Sequence, residues 1–197
     1  MGKEKATNRV KYYKNENGPV IGVTEQDAIC VDGLYFRDIN KDGKLNVYKD
    51  WRNKPEERAK ALVKDLSVEE KIGQLFLNSW KMGIEQEDKE FVDETGLLDE
   101  KPVEKGSSIF AVESTVGTTE TLKDWKVREF ILRANPKPDE LADWMNQLNS
   151  VAEECEHFIP VLMVSNSRNE NGEVVFGMND ASGVFATWPG TMGIAAA

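Results

Sequence analysis

Histidine and cysteine are almost missing from this chain: one His and two Cys in 197 residues. With only His157, Cys30 and Cys155 to draw on, the chain lacks the parts for a zinc site or a Ser-His-Asp triad. A Cys30–Cys155 disulfide is conceivable, although Cys155 falls on the apolar face of a helical pattern and reads as a buried thiol. A run of 18 apolar residues is also absent, which excludes a membrane-spanning helix. Basic residues are outnumbered, 25 against 35 acidic, and the net charge of -10 disfavours nucleic acid or an anionic membrane as partner. The first residues, Met1-Gly2-Lys3-Glu4, have no apolar core and do not form an intact secretion signal. A chain whose signal had been removed would read the same, and in that case a periplasmic or extracellular location is expected. What is present is a 40% apolar fraction with five tryptophans, enough for one substantial folded domain.

Along the chain, residues 1–20 are charged, rich in Asn and Lys, and read as a flexible or loosely docked lead-in. Short strand-like pieces occupy 20–31. Pro55-Glu56-Glu57 opens a helix whose apolar side is Ala59, Leu62, Val63 and Leu66, and Ser67-Val68-Glu69-Glu70 is a capping box for the next one. That second helix should dock Val68, Ile72, Leu75 and Phe76 on a sheet, unless residues 75–77 already begin a strand. The acidic stretches at 85–94 and 99–104 read as solvated surface or an insertion, 107–112 as a strand, and 115–121 as a polar loop. Alternation over 127–133 suggests another strand.

The clearest helix runs from about Asp139 to His157, with Leu141, Trp144, Leu148, Val151 and Cys155 at the 3.6-residue period and Asp143, Asn146, Asn149 and Glu153 outside. It feeds Ile159-Pro160-Val161-Leu162-Met163-Val164, an apolar, β-branched run that reads as an interior strand of a parallel sheet or barrel. Polar residues 165–169 crowd the C-terminal end of that strand, where such folds place ligands. His157, in the turn, is weighed between a structural or surface role and a chemical one. Residues 191–197 look like the first turns of a helix, so the chain reads as a fragment or as one piece of a longer assembly.

Residues 38–50 carry a second signal. Asp38, Asn40, Asp42, Lys44, Asn46 and Asp50 surround Gly43 in the spacing of an EF-hand-like calcium loop, with Lys44 contributing its carbonyl and Gly43 permitting the sharp turn. Position 12 of such a loop, normally a bidentate Glu, is Lys49, which cannot ligate Ca²⁺. Two readings stay open: a structural Ca²⁺, with Asp50 standing in for the missing Glu, or an Asp/Asn/Gly turn that holds itself by side-chain-to-backbone bonds.

Taken together, residues 38–52, 66–75, 127–133, 141–153, 159–169 and 188–196 resemble, in the same order, the N-terminal portion of glycoside hydrolase family 3, the β-glucosidase-like enzymes. The resemblance implies an α/β fold: the N-terminal part of a (β/α)₈ TIM-like barrel, incomplete within this chain. Residues 1–52 would form an N-terminal extension with the EF-hand-like loop, and 53–197 the first β/α units. It implies retaining, exo-acting hydrolysis of a β-glucoside or related carbohydrate through two carboxyl groups, with no cofactor for catalysis and no nucleophile within this chain. The missing C-terminal portion of the barrel would be the partner, possible as a separate chain. Asn166 stands where relatives carry the Asp that grips the sugar in subsite -1, and Arg168 and Asn169 match the residues that line or brace that pocket, with a salt bridge supporting the barrel rim as the other reading of Arg168. A non-catalytic carbohydrate-binding or structural descendant, or a calcium-stabilised interaction module, are the alternatives.

Overall fold

The computed structural model describes residues 10–80, 82–102, 116–132, 136–165 and 191–196. The expected strand at 107–112, Arg133 and the polar run after its first residue, Ser165, lie outside the described residues. The fold is a mixed α/β arrangement. Two antiparallel hairpins come first, β1 (Lys11–Tyr13) with β2 (Ile21–Val23) and β3 (Ala28–Val31) with β4 (Leu34–Arg37). Helices α1 (Pro55–Asp65) and α2 (Val68–Gly73) lead into a three-stranded parallel sheet of β5 (Leu77–Trp80), β6 (Glu129–Leu132) and β7 (Leu162–Ser165). Helix α3 (Thr118–Lys123) precedes β6, α4 (Pro138–Glu153) precedes β7, and α5 (Thr191–Ala196) is the last element. The strand order β5-β6-β7 follows the chain, as successive β/α units require, and among the described residues this sheet is open.

The lead-in is not loose from residue 10 onward. β1 pairs with β2, and the Asn15 side chain donates to the Pro19 and Tyr35 carbonyls while accepting from Tyr35 N–H at 2.7 Å. Asp32-Gly33 turns the second hairpin with both φ angles positive, 50° and 78°, the twist that suits a two-residue hairpin. The capping box at Ser67 forms as its spacing predicts: Glu70 N–H donates to Ser67 Oγ at 3.0 Å, and Ser67 N–H donates to Glu70 Oε2 at 2.9 Å.

The core lies under α4. Trp144, Leu148 and Ala152 are fully buried against Phe130 of β6, Leu122 of α3, and Met82 and Leu98 from the connection after β5. Phe130 meets Trp144 edge-on, with centroids 5.6 Å apart. The acidic stretch at 85–94 is therefore attached to the core rather than only solvated, through the Met82–Leu98 bridge. Residues 118–121, expected in a loop, open α3 with Thr118 and Thr121 buried and Thr121 Oγ1 bonded to the Gly117 carbonyl.

Apolar patterning misplaces two helix faces. Val68, Ile72, Leu75 and Phe76 are 64%, 49%, 84% and 59% exposed, and α2 turns Glu70 and Gly73 inward instead. Gly73 lies so close to the β6 approach that a Cβ would stand 2.3 Å from the Lys126 carbonyl oxygen, so only glycine fits. Helix α1 buries none of its own residues, and only the flanking Leu66 is inside. β7, expected as an interior strand, is an outer strand among the described residues, with Leu162 and Val164 exposed. Both cysteines are free: Cys155 is buried as expected, and Cys30 is exposed in β3.

Glu153, at the end of α4, is the largest departure from the helical pattern. It is 2% exposed, not solvent-facing. Its Oε2 accepts from Thr24 N–H (2.9 Å), Thr24 Oγ1 (2.8 Å) and Glu25 N–H (3.0 Å), and Arg37 reaches Oε1 at 2.6 Å. Burial pushes this carboxyl up, but the hydrogen bonds from Glu25, Thr24 and Arg37 outweigh burial and hold it below the usual range. Glu70 is balanced in the same way: burial raises it, and Ser67 N–H with His157 brings it lower.

Two predictions follow from these carboxylates. Glu153→Ala strands the Thr24 and Glu25 amides and the Arg37 guanidinium, and should lower unfolding free energy by about 3 kcal/mol in urea denaturation. Because Glu70 and Glu153 have lowered pKa values, the unfolded chain binds more protons than the folded one in acid. The stability they contribute is complete above roughly pH 5 and is lost as pH falls through their folded values. Glu100, which burial raises despite its bonds from Thr119, tilts the same curve the other way. The melting temperature should fall between about pH 5 and 3, and Glu153→Gln should flatten that slope.

Candidate functional site

The parallel register sets one end of the sheet apart. Trp80, Leu132 and Ser165 stand side by side at the C-terminal ends of β5, β6 and β7, the end at which α/β folds bind ligands. Asn166, Arg168 and Asn169 follow Ser165 in sequence and lie outside the described residues. The opposite end is closed by the N-terminal region. An open cleft of about 390 Å³ lies there, lined by Tyr12, Thr24, Arg37, Asn149, Glu153 and Phe158 among others. Its floor is the Glu153 network, and Arg37 sits over the Phe158 ring at 4.2 Å. With its charged groups already paired, this cleft reads as a joint between hairpins and α4.

His157 belongs to the same end. It is 5% exposed, with Nδ1 at 2.9 Å from Glu70 Oε1 and Nε2 at 3.4 Å from Asp65 Oδ2. Tyr48 donates its hydroxyl to Asp65 at 2.6 Å, which first among several causes holds the Asp65 carboxyl low. This chain of contacts ties the 38–50 loop to α1, α2 and the turn before β7, a structural role.

The geometry of the 38–50 loop centres on Lys49. Its side chain is fully buried, and Nζ donates to Asp38 Oδ1 at 2.6 Å, Asp42 Oδ1 at 2.5 Å and the Lys44 carbonyl at 2.9 Å. Gly43 N–H donates to Asp38 Oδ2 at 2.9 Å, and Lys44 N–H to Asp42 Oδ1 at 2.8 Å. The Lys49 bond, followed by the Lys44 amide, lowers the Asp42 carboxyl to about 2. Asn46 accepts Lys49 N–H on its side chain and its carbonyl. Asp50 faces elsewhere, held by Arg52 through Nε at 2.8 Å and a second nitrogen at 2.7 Å. Asn40 donates to Asp42 at 3.1 Å, while its Oδ1 is buried with no hydrogen-bond partner.

Of the six residues expected at the metal, the structure thus brings Asp38, Asp42 and Lys44 onto one point and turns Asp50 away. The residue that sequence reading took as a defect, Lys49, is the one at the centre. An acidic pair at loop positions 1 and 5 with a base at position 12 was the signal available for it. Among the described residues, no group of three or more His, Cys, Asp or Glu side chains is placed to hold a metal ion, and no helix is long and apolar enough to cross a membrane.

No family model matches the chain. Over 169 residues it is 31% identical to a periplasmic beta-glucosidase/beta-xylosidase of Dickeya chrysanthemi, a stretch that takes in 85% of this chain and 23% of that protein. The chain therefore spans less than a quarter of the curated relative it matches, and over most of its own length it is homologous to a glycosidase.

Proposed function

We propose that this chain is the N-terminal part of a retaining, exo-acting β-glucosidase-like hydrolase of glycoside hydrolase family 3, working outside the cytoplasm. The observation that carries this reading is the 31% identity to a periplasmic beta-glucosidase/beta-xylosidase over 85% of the chain. The three sequential parallel strands, each preceded by a helix, support assignment to the first units of a β/α barrel. The exposed edge residues Leu162 and Val164 of β7 and Leu77 of β5 suit a sheet that continues with further strands.

In this reading Asn166, Arg168 and Asn169 bind hydroxyls of the glycone at subsite -1. The nucleophile and the acid/base carboxyl lie outside this chain. Catalysis would proceed by attack of a carboxylate on the anomeric carbon, with a second carboxylic acid protonating the leaving oxygen and then activating water. The role of the present chain is to seat the sugar so that the anomeric carbon meets the nucleophile. A second reading, a carbohydrate-binding descendant without catalysis, is favoured by Asn166: an amide in place of a carboxylate makes weaker hydrogen bonds to sugar hydroxyls.

Joining this chain to the C-terminal remainder of the Dickeya protein tests both. The chimera should hydrolyse aryl β-glucosides or β-xylosides, while the chain alone should not. Asn166→Asp should raise kcat/KM about tenfold, the difference between a charged and a neutral hydrogen bond. A folded chimera that is inactive with Asn or Asp at 166, yet retains sugar binding, would establish the non-catalytic reading.

A further inference from the structure

We propose that the Lys49 ammonium is the resident cation of the 38–50 loop, so that a loop with the spacing of a calcium site is closed by the protein's own charge and takes no divalent metal. In such a loop the ion is bound by side-chain oxygens at positions 1, 3 and 5, a backbone carbonyl at position 7 and the carboxylate at position 12. Here positions 1, 5 and 7 are Asp38, Asp42 and Lys44, and their oxygens converge on Lys49 Nζ at 2.6, 2.5 and 2.9 Å. The side chain of position 12 therefore delivers a positive charge to the point where its usual carboxylate would meet one.

The donor set as it stands does not fit Ca²⁺. An ion bonded to Asp38 and Asp42 at 2.3–2.6 Å would have to share their oxygens with a buried ammonium, and two cations in contact repel. Lys49 cannot readily withdraw, because its side chain is fully buried and its backbone N–H is held by Asn46. The alternative carboxylate, Asp50, is taken by Arg52 through two nitrogens. One oxygen of the pattern is left over: Asn40 Oδ1, at position 3, is buried without a hydrogen-bond donor. An ammonium has three protons, and all three are accounted for by Asp38, Asp42 and the Lys44 carbonyl. A metal with six to eight ligands would have used the fourth oxygen; a lysine cannot.

The loop closed in this way carries Tyr48, whose hydroxyl bonds Asp65 beside His157, and Lys41, which donates to the Glu154 carbonyl at 2.7 Å. The lysine thus keeps the N-terminal region docked without an external ion.

The test compares the full chain with Lys49→Glu and Lys49→Met, each in chelator and in calcium at about 5 mM, above the weakest affinities of such loops, about 10⁻³ M. The unaltered chain should melt at one temperature in both buffers and give no binding heat in calorimetry. Lys49→Glu, which restores the carboxylate at position 12, should bind one Ca²⁺ with Kd of about 10⁻³ M or below and melt higher only in calcium. Lys49→Met leaves two carboxylates facing each other and should melt lower than the unaltered chain. Adding Asp42→Asn to Lys49→Met should recover part of that loss, which a mere packing role for the lysine stem would not do. Stoichiometric calcium binding by the unaltered chain would overturn the proposal, as would a folded Lys49→Glu variant that ignores calcium, or a double variant with no recovery.

Discussion

The buried carboxylate of Glu153 is the contact on which the remaining architecture depends. Two-stranded hairpins of three or four residues per strand have little stability by themselves, and β1–β2 and β3–β4 are of that size. Their connection presents Thr24 N–H, Thr24 Oγ1 and Glu25 N–H to one oxygen, while β4 supplies Arg37 to the other. A single side chain at the end of α4 thus satisfies donors from both hairpins. Gln26 reinforces the joint by donating to the Glu153 carbonyl at 2.5 Å. A carboxylate at a helix C-terminus is unfavourable for the helix dipole, so its presence there makes sense only because these donors compensate it.

A second set of contacts continues the joint. Phe158 N–H donates to the Ile39 carbonyl at 2.7 Å, at the start of the loop that Lys49 closes, and Tyr48, just before Lys49, reaches Asp65 and through it His157. The loop is thus a link in a continuous path from hairpin to α1, α2 and the turn before β7. A loosely held loop would leave His157 and Glu70 as a buried polar pair without their outer support, and such partly satisfied networks are costly. An ammonium held by its own chain supplies the needed charge at the moment of folding and does not depend on metal supply.

What could be read from residues alone follows a physical division. Local, period-driven features came through: the capping box at Ser67, the apolar stripe of α4, the strand at 129–132 and the helix at the end of the chain each depend on neighbours in sequence. Features set by distant partners did not. Glu153 sits in a helical pattern as an outward residue, and nothing within ten residues announces Thr24 or Arg37. The apolar face of α2 reads as buried because of its spacing, yet the close approach of Lys126 to Gly73 turns the opposite side inward. At the candidate loop the six oxygens were legible, but their convergence on Lys49 was not, because a motif is read as a list of ligands and a lysine at position 12 registers only as a missing one. The residues expected at the sugar, Asn166, Arg168 and Asn169, rest on resemblance and on the strand that leads to them.

These contacts share a direction. Glu153, His157 and Phe158 precede β7, and Asp65 and Glu70 precede β5, so these ties from the N-terminal region grip the sheet at the N-terminal ends of its strands. Trp80, Leu132 and Ser165 stand at the opposite, C-terminal ends of the three strands. In β/α folds the first end governs stability and the second carries chemistry. The described ties thus hold the strands at the end that governs stability. Under the proposed reading, loosening the Glu153 joint would act on sugar binding only through the position of β7, whereas a change at Asn166 would act on the sugar contact directly.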